Sequence, residues 1–478
     1  MDEKQVVISN LIWRFFERTG AQLVAFFVSI IIARILDPSA YGTVALITVF
    51  IVILQVFVDS GLGNALIQKK DADDLDFSTV FYANVLFCTV LYIIIFFASP
   101  LIATFYENEE LIPYIRVLGI TVLISGVKNV QQAYVSRNML FKKFFFSTIG
   151  GTLVAGIVGI IMALNNFGVW ALVFQQVINL LIDTIILWIT VKWRPKKKFS
   201  FIRLKTLFSY GWKLLVSSLI DTIYKELRQL IIGKVYTSSD LAYYNQGEKL
   251  PHLIVININA SIDSVLLPIM SNVQDDRQHV KSMTRRSIIV STYIMAPLML
   301  GLAAVSKPLI SVLLTEKWLF SVPYLRIFCI TYMFYPIHTA NLNAIKAMGR
   351  SDLFLKLEVL KVIVAMIALI STMWISVEAM AYSLLVVSLA SQIINSWPNK
   401  KLLNYSYIEQ LKDIFPSILL ATIMAVCVYF VEKTGLTCYL ILFLQIFIGI
   451  IIYIVGSYII KLDGFNYLFE IAKRFLNK

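Results

Sequence analysis

The sequence predicts an all-α integral membrane protein with about fourteen transmembrane helices, arranged as two parallel six-helix repeats and two further C-terminal helices. Of its 478 residues, 59% are hydrophobic and 15% are charged, and the mean hydropathy is +0.78. An ordinary soluble domain has about 25% charged residues. Apolar stretches of about 20 residues, the length of a helix that crosses a bilayer, recur along the chain. The composition therefore excludes a soluble globular protein.

Hydropathy windows of about 19 residues locate the predicted spans. Short segments that hold most of the charge separate one span from the next. The predicted spans are residues 11–36, 41–67, 79–103, 112–136, 146–165, 168–191, 207–235, 241–272, 287–306, 323–348, 353–374, 377–397, 414–430 and 436–460.

The first apolar stretch has the features of a retained span. It contains charged side chains and does not end in a small-residue cleavage site, so it is not predicted to be a signal peptide. The four cysteines have no paired or CxxC spacing, which disfavours both a disulfide framework and a zinc site. They are Cys88, Cys329, Cys427 and Cys438.

Basic residues are concentrated in alternate loops. Cytoplasmic loops are enriched in lysine and arginine, so this pattern predicts that both termini lie in the cytoplasm and that Glu109 lies outside. These loops also explain the net charge of +13, and no nucleic-acid partner is predicted. The basic residues on the predicted cytoplasmic side are Lys69, Lys70, Arg137, Lys142, Lys143, Lys192, Arg194, Lys196, Lys197, Lys198, Arg203, Lys205, Arg277, Lys281, Arg285 and Arg286.

An internal repeat relates the fourth and tenth spans. Residues 113–121 read PYIRVLGIT and residues 323–331 read PYLRIFCIT. Weaker sequence similarities relate IIARI at 31–35 to IIGKV at 231–235, and Asp59 to Asp263. Six is an even number, so two six-span halves share one orientation, and a central site is expected between them. The predicted domains are residues 1–195 and 196–402, the two six-helix lobes, and 403–478, two additional helices.

Charged residues inside spans are the first candidates for function, because each costs about 2.5–3.5 kcal/mol to insert unless it faces water or a partner. Two spans carry such residues on one helical face. In the alternative interpretation, those near the cytoplasmic ends reach the headgroups and Glu17 pairs locally with Arg14. The two faces consist of Arg14, Glu17, Arg18 and Gln22 in the first span, and Lys213, Ser217, Asp221, Lys225 and Arg228 in the seventh.

Other residues in spans each have two interpretations. Asp59 and Asp263 lie near span ends and are, with equal weight, either coupling or gating residues or helix caps. Pro336 removes a backbone donor and can kink the tenth span, as a gate hinge or, the commoner case, as a packed kink. Residues that are either ligand contacts or interhelical contacts are Lys128, Asp183 and Lys361.

Catalytic patterns have little support in the sequence. There are three histidines, no HExxH motif and no serine-centred elbow, and the predicted external loops are too short for a catalytic domain. We therefore expect a protein that is not an enzyme and that has no cofactor and no metal site.

Six segments of the chain have distinctive sequences. They are ARILDPSAYGTVAL from Ala33, VDSGLGNALIQKKD from Val58, PLIATFYENEEL from Pro100, NNFGVWALVFQQ from Asn165, LAYYNQGEKLP from Leu241 and NAIKAMGRSDLFLKLEVLK from Asn343. These segments resemble the polysaccharide flippases of the multidrug/oligosaccharidyl-lipid/polysaccharide superfamily, especially the WzxC-like branch, and the resemblance covers nearly the whole chain through the twelfth span.

The resemblance implies a V-shaped pair of six-helix lobes in the bacterial cytoplasmic membrane. It implies transfer of an undecaprenyl-pyrophosphate-linked oligosaccharide to the outer leaflet for surface polysaccharide synthesis, with other polysaccharide-assembly proteins as expected partners. A pyrophosphate needs charge-assisted hydrogen bonds to replace its hydration. The residues expected to bind it are Arg14, Arg18, Lys213, Lys225 and Arg228, and the candidate coupling or gating residues are Glu17, Asp221, Asp59 and Asp263.

A cation-coupled antiporter of the related multidrug branch is the alternative function. It would use Asp221, Asp59 or Asp263 as a cation or proton site. A site for organic cations should be acidic overall, whereas the charged faces of the first and seventh spans are more basic. The flippase function is therefore preferred over the antiporter.

Overall fold

A computed structural model describes residues 3–59, 62–69 and 71–476, and within them the first turns of the chain as helical backbone only. The described residues form α-helices and two short 3₁₀ helices and contain no β-strand, which confirms the all-α prediction. The chain forms two compact units, residues 1–242 and 243–478. The predicted division into lobes at 195 and 402 stays a prediction.

The first unit contains eight complete helices among its described residues. The turn between the sixth and seventh of them requires a positive φ at Gly168, +54°. The eight helices are α1 (Glu3–Ile35), α2 (Pro38–Asp59), α3 (Leu62–Gln68), α4 (Asp74–Phe105), α5 (Leu111–Arg137), α6 (Phe141–Leu164), α7 (Val169–Thr190) and α8 (Phe201–Val235).

The next helix, α9 (Ser238–Asn272), contains the boundary between the units. The described part of the second unit continues from there to the C-terminal end of the chain. Its 3₁₀ helices are Glu316–Ser321 and Glu432–Thr434. Its further helices are α10 (Arg277–Ala304), α11 (Ser306–Leu314), α12 (Val322–Met333), α13 (Tyr335–Ala347), α14 (Ser351–Thr372), α15 (Val377–Leu402), α16 (Tyr407–Val431), α17 (Cys438–Ile460) and α18 (Asp463–Leu476).

Ten helical stretches among the described residues are long and apolar enough to cross a membrane, which confirms a multi-pass membrane protein. They are the stretch holding α2 and α3, and α4, α5, α6, α7, α9, α10, α15, α16 and α17. The predicted seventh span corresponds to α8, which has 35 residues but carries many charges. The count of fourteen spans and the repeat layout stay predictions.

The predicted tenth span is two helices rather than one. Helix α12 ends at Met333 and α13 begins at Tyr335, so that Pro336 lies in the first turn of α13. A proline at that position loses no helical hydrogen bond, because the first N–H groups of a helix have no intrahelical acceptor. The helix is thus interrupted at Phe334, and the two interpretations of Pro336, a gate hinge or a packed kink, stay predictions.

Small residues let α6 pack closely in the first unit, as their spacing of four indicates. A methyl group on Gly156 would lie 2.5 Å from Val28 of α1, and one on Gly151 would lie 2.7 Å from the carbonyl oxygen of Asn179 on α7. The stripe consists of Ser147, Gly151, Ala155, Gly159 and Ala163, and all five are buried.

The arginines of the two PYxR segments make the same kind of contact. In the first unit, the Arg116 side chain donates from Nε to Ser99 Oγ at 3.1 Å. In the second unit, Arg326 donates from Nε to Ser306 Oγ at 2.9 Å. Ser99 lies within α4, directly before Pro100, and Ser306 is the first residue of α11, two residues before Pro308. The shared contact gives the similar sequences a common structural role.

The α4 N-terminus is held by an ionic cluster that joins two segments of the first unit. Asp73 caps the helix by accepting from the backbone N–H of Asp76, and Asp76 closes the capping box. Lys69 contacts Asp76 at 2.7 Å, and Arg203 contacts Asp73 at 2.8 Å. The hydrogen bond from the Asp76 backbone, with help from Arg203, holds the pKa of Asp73 below its usual value.

Candidate functional site

A polar cavity of about 430 Å³ lies within the first unit. It is built where α2 and α3 meet α5, α6 and α7. Most of its lining side chains are charged or carry amide or hydroxyl groups. The lining residues are Asp59, Gly63, Asn64, Ile67, Lys128, Asn129, Gln132, Ala133, Ser136, Phe144, Thr148 and Asp183.

A buried ion pair forms one wall of this cavity. Lys128 Nζ of α5 lies 2.5 Å from Asp183 Oδ2 of α7. The two residues are 8% and 7% exposed, so both charges are largely removed from solvent. Asp183 Oδ1 is buried and has no hydrogen-bond partner. A buried carboxylate oxygen without a donor is costly, so it is a position at which an additional positive group would bind favourably.

Asp59, which also lines this cavity, lies at the end of a short chain of hydrogen bonds between asparagine side chains. Asn84 of α4 donates to Asn129 Oδ1 at 3.2 Å, and Asn129 donates to Asp59 Oδ1 at 3.4 Å. Asp59 is exposed at the end of α2 and forms no ion pair within the described part of the chain. Gly63 packs against this chain of hydrogen bonds, because a methyl group there would lie 2.5 Å from Asn129 Oδ1. A side chain at position 63 would therefore require the Asn129 amide to shift.

The charged face of α8 is present in the structure, on the surface of the first unit. Lys213, Asp221 and Lys225 are exposed, whereas Arg228 is 8% exposed. Lys225 Nζ lies 2.6 Å from Asp221 Oδ2, one helical turn away. Lys213 forms no ion pair among the described residues. Two of the three cations on this face are therefore accessible to a ligand.

The predicted site residues of α1 cannot be placed in detail. Arg14, Glu17 and Arg18 belong to the helical backbone of α1, but their side chains lie outside the described residues. Their assignment to a pyrophosphate or coupling site stays a prediction.

The second unit has a buried cluster of neutral amides. Asn341 of α13 donates to Gln410 Oε1 at 2.9 Å, and its own Oδ1 accepts from Asn399 at 2.7 Å. Asp263 of α9 accepts from Asn343 at 2.8 Å and is exposed. The structure thus gives Asp263 the same kind of partner, an asparagine amide, that Asp59 has in the first unit.

Two further polar residues in predicted spans have structural partners. Lys361 lies 2.7 Å from Glu358 on its own helix. His338 is within 3.4 Å of Ser388 and of Asn395, both on α15. No group of three or more metal-binding side chains occurs among the residues that the structure describes.

The sequence identified Lys128, Asp183 and Asp59 as separate candidates but did not predict that they line one cavity. It also did not select the amides of Asn129 and Gln132. The useful signal is the spacing on α5, where positions 128 and 132 are one turn apart and face the same side of the helix.

Comparisons with known proteins agree with the fold. A family described as "Polysaccharide biosynthesis protein" matches residues 31–323. Teichuronic acid biosynthesis protein TuaB of Bacillus subtilis is 29% identical over 63% of this chain and 63% of its own length. An uncharacterized membrane protein in the cps region of Klebsiella pneumoniae is 24% identical over 96% of both chains. Lipopolysaccharide biosynthesis protein WzxC of Escherichia coli is 23% identical over 69% of this chain and 68% of its own.

Solved structures of two transporters have a fold similar to that of this chain. The lipid II flippase MurJ matches with a TM-score of 0.74 and 16% identity, over 94% of this chain and 98% of that one. An inward-facing multidrug resistance MATE family transporter of the MOP superfamily matches with a TM-score of 0.60 and 14% identity, over 87% and 96% of the two chains. The fold is therefore shared with transporters of the MOP superfamily.

Proposed function

The chain belongs to the family of polysaccharide biosynthesis proteins, and from this premise we propose that it is a flippase for lipid-linked oligosaccharides. Its load would be an undecaprenyl-pyrophosphate-linked repeat unit, carried from the cytoplasmic to the outer leaflet for surface polysaccharide synthesis. The observation that carries the proposal is the family match, joined to relatives named for polysaccharide biosynthesis and to a fold shared with a lipid II flippase. Transport of this kind needs no catalytic group, so we propose a transporter and not an enzyme.

The charged face of α8 is the proposed binding surface for the pyrophosphate, together with Arg14 and Arg18 of α1. A pyrophosphate that leaves water needs charge-assisted hydrogen bonds in place of its hydration shell. Lys213 and Lys225 are accessible on this face, and Arg228 adds a planar fork of donors that suits phosphate oxygens. The Asp221 partner of Lys225 is positioned to compete with the phosphate. We propose that, when the substrate binds, Lys225 exchanges its contact with Asp221 for a contact with the phosphate.

The membrane potential favours this direction of transport. A pyrophosphate with about two negative charges that leaves a cell with a negative interior gains about 4.6 kcal/mol at about 100 mV, from about 2.3 kcal/mol for each charge. This free-energy gain is retained only if the basic side chains of the site stay nearly fixed while the negatively charged substrate crosses the membrane. We therefore propose a preformed site on α1 and α8 and a cytoplasmic-membrane location with both termini in the cytoplasm.

The proposed orientation is tested by thiol labelling in intact cells. Single cysteines replace Glu109 and Lys197 in a chain without its native cysteines. An impermeant reagent should label position 109 and spare position 197, because alternate loops lie on opposite sides of the membrane. Labelling of position 197 in intact cells would reverse the orientation.

Transport into vesicles tests the function itself. Purified full-length chain is reconstituted with a fluorescent undecaprenyl-pyrophosphate oligosaccharide, and the fraction reaching the opposite leaflet is measured under an imposed potential. Arg228→Gln should reduce the rate by at least about ten-fold, the loss expected when a phosphate loses a bidentate charged contact. Glu107→Gln, which changes an exposed loop carboxylate paired with Lys234, is the matched control and should transport normally. Arg228→Lys should already be impaired, because lysine lacks the fork geometry.

A cation-coupled small-molecule antiporter is the alternative that this assay separates. It is favoured by the similarity of fold to a MATE transporter and by the carboxylates Asp59, Asp221 and Asp263. A chain that moves small organic cations against a proton or sodium gradient and leaves the lipid-linked sugar untouched would replace the flippase proposal. Glu17 and these three aspartates are the proposed coupling residues for either function.

A further inference from the structure

The last helix, α18, follows α17 after a sharp turn and is strongly amphipathic. The turn is made at Lys461, which has a φ of +56°, and the Asn466 side chain donates to the Lys461 carbonyl oxygen at 3.2 Å. Helix α17 has 23 residues and is long and apolar enough to cross a membrane, whereas α18 has 14 residues and is too short to cross. A short amphipathic helix of this kind is typical of a segment that lies in the plane of the membrane interface.

Contacts with α10 fix the level of α18 relative to the bilayer. Helix α10 carries all of its charges in its first turns, and residues 287–304 have none. The Arg286 guanidinium lies 4.4 Å from the centre of the Tyr467 ring of α18. One level further along α10, the rings of Tyr293 and Phe465 have their centres 6.4 Å apart. Helix α18 therefore packs where α10 changes from charged to apolar, which is the level of the lipid headgroups.

An exposed aromatic strip continues from α17 onto α18. The rings of Phe465 and Phe469 stack with centres 5.9 Å apart, and Phe465 contacts Tyr458 of α17 at 6.4 Å. Phe469 is 61% exposed and Tyr458 is 72% exposed. Further along α17, Phe443 and Phe447 are also more than half exposed, and in a membrane span such side chains face lipid. The strip on α18 is thus continuous with a lipid-facing surface, which identifies the bilayer as its occupant.

Basic side chains are in excess around this strip. Lys473 follows Phe469 by four residues, so the two lie one turn apart on the same side of α18. The neighbouring Arg285 of α10 is engaged by Asp413 at 2.7 Å and adds no net charge. Four other basic side chains and two acidic ones lie on or beside α18, an excess of two positive charges. The basic residues are Lys461, Lys473, Arg474 and Arg286, and the acidic residues are Asp463 and Glu470, all of them exposed.

We propose that α18 lies in the headgroup layer of the leaflet beside the N-terminal end of α10 and binds anionic phospholipid there. The loop charges predict that this is the cytoplasmic leaflet. The rings of Phe465 and Phe469 enter the upper acyl region, while the long side chains of Lys473 and Arg474 reach the headgroup phosphates. The partner is a phospholipid of the bilayer itself and differs from the lipid-linked oligosaccharide of the proposed function, so the inference does not depend on that function.

Fluorescence quenching in vesicles tests the position of α18. The purified full-length chain carries Cys427→Ser and Cys438→Ser, which remove its two exposed thiols, and a fluorophore is attached through Phe469→Cys or Glu470→Cys. The quencher is phosphatidylcholine with a nitroxide near the top of its acyl chain. Quenching should be at least about three-fold stronger at position 469 than at position 470, because only the first faces the acyl chains. Equal quenching at the two positions, or none at position 469, would overturn the proposal and would leave this surface to water or to a protein partner.

Two nitroxide lipids that differ only in headgroup test the preference for anionic lipid. With the fluorophore at position 469, phosphatidylglycerol should associate at least about five-fold more strongly than phosphatidylcholine, the contribution of one basic residue near an anionic surface. Lys473→Gln with Arg474→Gln should reduce this preference by at least about five-fold. Both side chains are exposed, so the variant should fold.

The matched control removes the same charge from another exposed segment. Lys197→Gln with Lys198→Gln changes two exposed lysines of the first unit and should keep the lipid preference of wild type. Equal association of the two lipids with wild type would overturn the proposal. An unchanged preference in the α18 variant, or an equal loss in the control, would show that the basic side chains of α18 do not bind anionic lipid.

Discussion

The two units bury polar side chains in different ways. In residues 1–242 the buried pair Lys128 and Asp183 is ionic, with contact at 2.5 Å. In residues 243–478 the buried contact is made by the neutral amides of Asn341, Asn399 and Gln410, at 2.7 to 3.0 Å. An amide cluster is neutral at every pH, whereas each member of an ion pair depends on the charge of its partner. Loss of one member should therefore cost more in the first unit than in the second.

The largest expected effect comes from breaking the ionic pair on one side. Asp183→Ala leaves the Lys128 ammonium buried without its partner and should lower the free energy of unfolding by about 3–5 kcal/mol. Lys128→Met with Asp183→Leu should recover most of this loss, because no unpaired charge remains. Denaturant unfolding in detergent measures both.

The control for this comparison is a pair within one helix. Glu358→Ala breaks the contact with Lys361 in the second unit and should cost less than about 0.5 kcal/mol. If the Lys128 and Asp183 double variant is no more stable than Asp183→Ala, the two residues do not act as a unit.

The next largest effect concerns the neutral cluster. Asn341→Leu leaves the amides of Gln410 and Asn399 without their shared partner and should cost about 1–3 kcal/mol. The loss should be the same at pH 5 and pH 8, because no member of the cluster titrates. Unfolding of the variant at the two pH values checks this, and a loss that changes with pH would remove the contrast between the units.

A smaller effect is expected at the close approach beside Asn129. Gly63→Ala places a methyl group 2.5 Å from Asn129 Oδ1, so the amide must turn away and its hydrogen bond to Asp59 should weaken. We expect the free energy of unfolding to fall by about 0.5–1.5 kcal/mol, the net value of a hydrogen bond. Denaturant unfolding in detergent measures the change. Gly301→Ala is the control, since a methyl group there meets its nearest atom at 3.5 Å.

Residue patterns on single helices could be predicted from the sequence, but contacts between helices could not. The small-residue stripe of α6, the break at Pro336 and the contact of Asp221 with Lys225 all depend on local spacing. Lys128 and Asp183 are 55 residues apart, and Asn129 and Asp59 are 70 residues apart. Periodicity places each on a helical face without showing which faces meet. The cavity could therefore be recognised only from the structure, which shows how α2, α5 and α7 pack together.

The smallest expected effect extends the comparison to two helix caps. In the first unit, α4 is capped by Asp73, an ionisable side chain, whereas in the second unit Ser406 caps α16 with a neutral hydroxyl. The pKa of Asp73 is lowered chiefly by the backbone hydrogen bond from Asp76. A lowered pKa means that the stabilisation is complete above the unfolded value of about 3.9 and is lost as the pH falls through the folded value.

Asp73→Ser converts the ionisable cap into the neutral kind and should remove this pH dependence. At pH 7 the variant should differ from wild type by less than about 1 kcal/mol, because serine caps nearly as well as aspartate and the Arg203 contact is largely exposed. As the pH falls below about 3.9, wild type should lose stability faster than the variant, since protonated Asp73 no longer accepts the Asp76 N–H as an anion. Thermal unfolding at each pH provides the measurement. Parallel pH profiles of wild type and Asp73→Ser would show that the charge of Asp73 does not stabilise α4.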